Sequence, residues 1–137
     1  MKRTLCALFA VVAVALGGCG GGTSEAIRRG VGAECNASLT CTEMNQVCLT
    51  VFAGGYCGVS ACVHDTDCPA GSACVTDDGQ INYCFLICAD KPECNVNRSA
   101  ANESSCTSSL TFVDGAGGRK VCRPPLSGTG PFDAGTD

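Results

Sequence analysis

The feature that most restricts this chain is a cysteine spacing that recurs three times. The first cysteines of the units are Cys35, Cys62 and Cys88, 27 and then 26 residues apart. In every unit the second follows six positions later, at Cys41, Cys68 and Cys94. The third (Cys48, Cys74, Cys106) and the fourth (Cys57, Cys84, Cys122) follow at more variable distances. A period of this length with one fixed internal spacing reads as tandem modules of a single design. Fourteen cysteines in 137 residues, with no tryptophan, place the chain in the small disulfide-rich class. The expected architecture is three four-cysteine modules, 35–57, 62–84 and 88–122, with short β-hairpins and little helix outside the leader. Apolar burial alone stabilises so small a domain poorly, and cross-links offset this by restricting the unfolded chain.

Residues between the cysteines repeat the scheme. Asn45 and Gly71 each stand three positions before the third cysteine, and both types tolerate a left-handed backbone. Leu49-Thr50-Val51 and Val75-Thr76 favour strand, Gly54-Gly55 and Asp78-Gly79 supply turns, and Tyr56 or Tyr83 precedes the fourth cysteine. Each unit therefore reads as a hairpin ending in that cysteine. In the third unit, Leu110 to Val113, a Gly-rich turn and Arg119 to Cys122 follow the same plan, after an insertion at Asn95 to Ser105. Each unit permits three pairings. First with third and second with fourth is favoured, because it ties the hairpin to the opening loop twice, whereas a first-to-second link closes only a small loop. The expected bridges are Cys35–Cys48, Cys41–Cys57, Cys62–Cys74, Cys68–Cys84, Cys88–Cys106 and Cys94–Cys122.

Upstream, Lys2-Arg3 and an apolar run of 12 residues, Leu5 to Leu16, followed by Gly17-Gly18, have the layout of an export signal too short to span a bilayer. Leu16-Gly17-Gly18-Cys19 resembles the lipobox of bacterial lipoproteins. That resemblance implies a signal peptide over 1–18, cleavage before Cys19, diacylglycerol on its sulfur and a fatty acid such as palmitate on its amine. Cysteine parity agrees: Cys6 leaves with the leader, 13 remain, and acylating Cys19 leaves 12 for three sets of four. Gly20 stands where many such lipoproteins carry the aspartate of inner-membrane retention, so the expected location is the cell envelope, lipid-anchored, at the outer membrane. Disulfides themselves call for an oxidising compartment. Residues 19–34, beginning Cys19-Gly20-Gly21-Gly22, are expected to form a lipidated flexible tether, and 123–137, rich in Gly, Pro, Thr and Asp, a disordered tail.

The spacing C-x5-C-x5-C-x9-C of the second unit, with Asp65-Thr66-Asp67-Cys68-Pro69-Ala70-Gly71, resembles cysteine-rich repeats of secreted myxobacterial-type lipoproteins. More distantly it is similar to the Dickkopf N-terminal cysteine-rich region. These resemblances cover residues 35–122 and imply an extracellular, non-catalytic, disulfide-bonded module with alternate pairing.

Several chemistries are set aside. Removing Lys2 and Arg3 takes the formal charge from −4 to −6, and no basic patch suits nucleic acid. Zinc and iron–sulfur sites bring ligands in close pairs such as C-x2-C, which the chain lacks, so no metal or cofactor is expected. His64 is the only histidine and no serine stands in an elbow motif, so no catalytic residues are assigned and the chain is not read as an enzyme. Asp65 and Asp67 are expected to cap a turn before Cys68, and Asp77-Asp78 to form one. The expected function is surface display or interaction with a protein or glycan. Its alternatives are a structural spacer and a disulfide-rich protease inhibitor offering Arg119-Lys120. Exposed Phe52, Tyr56, Tyr83, Phe85 and Phe112 would mark a contact surface, whereas their burial between units would mark a spacer.

Overall fold

A computed structural model describes residues 24–77 and 79–128. The expected export signal, Cys19, Gly20 to Thr23 and residues 129–137 lie outside the described residues. Six disulfides join first to third and second to fourth cysteine in each module, with Cα–Cα separations from 5.2 to 6.1 Å. The fold is small, disulfide-rich and mostly antiparallel strand, with only short helices.

The first module holds a two-stranded ribbon of β1 (Val47–Cys48) and β2 (Cys57–Gly58), in which Cys48 faces Cys57. Its turn uses Gly54 and Gly55 at φ +72° and +69°, and Asn45 sits at +68°. The second module is the regular hairpin. Strand β3 (Ser72–Asp77) pairs with β4 (Ile81–Cys88), with Cys74 opposite Cys84. Gly71, at φ +88°, leads into β3.

The third module departs from the expected hairpin. Its two arms, β6 (Thr111–Phe112) and β7 (Lys120–Arg123), do not pair with each other. β6 adds to β3, with Phe112 opposite Val75, while β7 lies between β4 and β5 (Ser105–Thr107). The result is one five-stranded sheet in the order β5-β7-β4-β3-β6. The physical reason lies in β4. It continues past Cys84 to Cys88, so the third module starts on the second module's strand, and free sheet edges on either side attract the arms separately. Arg123 of β7 pairs with buried Asp77 at 2.8 Å, so Asp77 belongs to the strand end rather than to a solvated turn.

The modules also share one core. Phe52 and Tyr56 of the first meet Tyr83 and Phe85 of the second, with ring centroids 5.2–5.9 Å apart and mostly edge-to-face. Phe112 and Val121 of the third complete the cluster. Edge-to-face rings add attraction beyond the area they bury.

Both flanks of the repeat region extend this core further than expected of a loose tether and tail. Ser24 caps helix α1 (Glu25–Arg28), its Oγ accepting from the Ile27 amide at 3.2 Å, which supplies an acceptor for an otherwise orphan donor. Ala26 and Val31 are buried, and Gly32 and Ala33 bond the backbone of Cys57. At the other end Pro124 is fully buried, Leu126 bridges to Phe52, and Ser127 donates to the Val51 carbonyl. Disorder beginning at 123 is thus corrected for residues 123–128, and flexibility for 24–34. The apolar Ala26, Val31 and Leu126 find cover in the core that three modules make together.

Candidate functional site

Two side-chain constellations join the modules, and the first contains residues that the sequence marks for possible chemistry. The first surrounds His64. The motif His64-Asp65-Thr66-Asp67 folds into a single 3-10 turn over Asp65–Asp67. Asp67 Oδ2 accepts from the Val63 and His64 amides at 2.8 and 2.9 Å, so it caps the turn, and these two bonds hold its pKa below the usual carboxylate value. Asp65 Oδ1 accepts from the Cys74 amide at 2.8 Å and its Oδ2 takes the Arg119 guanidinium at 2.7 Å.

Across the module boundary, Asp114 binds the His64 ring through Nδ1 at 3.0 Å and the Asp65 amide at 2.7 Å. The hydrogen bond to Asp114, with its charge, raises the His64 pKa. The Asp65 amide first, and His64 second, lower that of Asp114. Arg119 is fully engaged. Besides Asp65 it donates to the Gly115 and Ala116 carbonyls and lies 5.3 Å from the Phe112 ring centroid. A residue offered to a protease pocket must leave such partners, so Arg119 serves as a clasp between the second and third modules.

The second constellation is centred on Arg98, which the sequence does not single out. Its guanidinium is buried and donates to four backbone carbonyls: Asn102 at 2.7 Å, Ala53 at 2.7 Å, Gly55 at 3.0 Å and Gly32 at 3.1 Å. It therefore ties the N-terminal segment, the first module and the third-module insertion together. Burial lowers its pKa. Beside it Glu34 accepts from the Ser99 amide and hydroxyl at 2.9 and 2.7 Å. Burial pushes the Glu34 pKa up, and these bonds outweigh it, so the net direction is down.

The cysteines themselves stack. In each module the sulfurs of the first, second and fourth lie within 4.8 Å of one another. Three sulfurs this close suit a soft metal, yet each is bonded to another sulfur here and offers no thiolate. A groove of about 320 Å³ opens between Arg29, Glu34, Leu39, Thr42, Gln46 and Asn97. Its walls are more apolar than polar, and no aromatic side chain lines it. The five aromatics whose exposure would mark a contact surface, and whose burial a spacer, are buried: Phe52, Tyr56 and Phe85 are at most 1% exposed, and Tyr83 and Phe112 no more than 8%. Apolar exposure falls instead on aliphatic residues, among them Leu39, Met44, Val47, Val63 and Val96. Among the described residues no helix is long and apolar enough to cross a membrane. No protein-family model, curated protein or solved structure matches the chain.

Proposed function

We propose that this chain is a lipid-anchored extracytoplasmic protein of the cell envelope, at the outer membrane, acting as a rigid structural body rather than through catalysis. The observation that carries this reading is the fate of the sulfurs. All twelve cysteines from Cys35 to Cys122 are paired inside their own modules. After loss of the leader, Cys19 is the one cysteine left without a partner, and acylation of its sulfur removes it from the thiol pool. The aromatic cluster supports the spacer role over an aromatic contact surface, since its rings serve to fuse modules. The inhibitor reading loses its best residue, because Arg119 is bound on three sides. Display of a surface to a protein or glycan is a second reading, favoured by exposed Leu39 and Val47.

Intact mass spectrometry of the membrane fraction tests the anchor. The expected species begins at Cys19, carries acyl mass and takes up no alkylating reagent before reduction. An unmodified Cys19, or several alkylated cysteines, overturns it.

A further inference from the structure

The described chain begins at Ser24, and it begins already fixed in the fold. Ala26 is fully buried, and Gly71 approaches so closely that a Cβ on it would meet Ser24 Cβ at 3.1 Å. The inference here rests on the lipid-anchor reading. With Cys19 in the bilayer, five residue steps to Ser24 reach at most roughly 18 Å. A leash of that length cannot let the domain turn over freely, so the end around α1 stays close to the lipid.

What that end exposes is specific. The turn at 43–46, closed by the Gln46 amide donating to the Glu43 carbonyl at 3.3 Å, folds against α1. Gln46 Nε2 donates to the Arg29 carbonyl at 3.0 Å, and Glu43 is near enough to Arg28 to favour its charge. Met44, at the turn's apex, is 89% exposed, the most exposed large apolar side chain among the described residues. Val47 beside it is 54% exposed. Arg28 and Arg29, both paired with Glu25, border the turn. We propose that this end is a membrane-facing surface, with Met44 seated at the headgroup–acyl boundary of the bilayer that holds Cys19. An unbranched thioether packs easily among mobile acyl chains, and the short leash supplies the local concentration that one apolar side chain lacks alone. The hairpin β3–β4 starts beside this end, where Gly71 meets Ser24, and exposed Ile81 stands at its far turn, roughly 17 Å along the strands.

Met44 is the only methionine left once the leader is removed, so hydroxyl-radical oxidation reads it directly. The lipidated protein is reconstituted in phosphatidylethanolamine–phosphatidylglycerol vesicles and compared with a soluble Cys19→Ser form. Met44 should oxidise about threefold or more slowly on vesicles, as expected of a side chain at the interface, while Ile81 and His64 react at unchanged rates. Inserting about twenty Gly and Ser residues between Gly22 and Thr23 should bring Met44 back toward its soluble rate. Equal Met44 rates on floating vesicles and in solution, or equal protection of Met44 and Ile81, overturn the orientation while leaving the anchor intact. A chain that fails to float with the vesicles removes the anchor, and this inference with it.

Discussion

Arg98→Ala isolates the contribution of the buried guanidinium. The residue is 9% exposed and supplies donors to four carbonyls on three separate segments. Removing it leaves those acceptors around a space the side chain filled. A buried acceptor stripped of its partner costs ~1–3 kcal/mol. Carbonyls keep a second lone pair and water enters part of the gap, so the low end applies to each, giving a loss of about 3–5 kcal/mol. For a domain near 100 residues that is a fall in Tm of roughly 15–30 °C. Calorimetry with the disulfides intact measures it. Arg98→Lys should recover about half, because an ammonium on a flexible stem lacks the planar fork that spans Gly32, Ala53 and Gly55. Hydrogen exchange should locate the damage: the Gly32, Cys35 and Cys57 amides, which bond across these segments, lose protection, while those of β3 and β4 keep theirs. A Tm change below about 3 °C would refute the assignment of Arg98 as the tie between segments, since the low-end estimate already exceeds it.

Three further outcomes are expected. Gly55→Ala places a Cβ 2.1 Å from the Cys35 carbonyl and within 2.8 Å of the Cys35 and Cys48 sulfurs, at φ +69°, so that bridge should fail to close and quantitative alkylation should find its two thiols free. The ion pair of protonated His64 with Asp114 is intact below the ordinary imidazole pKa and is lost as pH rises through the raised value. At the acid end it is lost as pH falls through the lowered Asp114 pKa. NMR titration should accordingly place the His64 midpoint above ~6.5 and lower it in Asp114→Asn. Under limiting reductant, Cys62–Cys74 and Cys94–Cys122 should open last, because all four of these cysteines are no more than 4% exposed, whereas every other bridge has one half-exposed member. Mapping the alkylated cysteines over time checks the order.

What could be read from the residues is what local chemistry dictates. The spacing from first to second cysteine announced three modules, and loop-closure reasoning favoured the pairing that the folded chain contains. Asn45 and Gly71 betrayed their left-handed positions because few residue types accept one. The third-unit hairpin was misread for a reason local pattern cannot supply: whether Thr111-Phe112 pairs with Lys120-Val121 depends on which sheet edges are already open, a property of β3 and β4 sixty and more atoms of backbone away. Whether the aromatic residues face solvent or lie between units is open in the sequence, because no single module is large enough to bury them and only three together are. Arg98 carried no signal at all. An arginine in a polar insertion reads as solvated, and its four carbonyl partners come from residues distant in the chain. Leu126 is similar, lying in a stretch whose composition suggests disorder while its backbone bridges to Phe52 and its side chain packs on the core.

Strand β4 carries Cys84, which closes the second module and pairs with β3, and Cys88, which opens the third and pairs with β7, on one unbroken strand. Repetition in the sequence therefore does not create a seam in the molecule. A nick between those two sulfurs releases no independent bead, and excising one repeat would strip its neighbours of strand partners. Selection can tune such an object only whole, and force applied at either end meets a single undivided body rather than links that yield in turn.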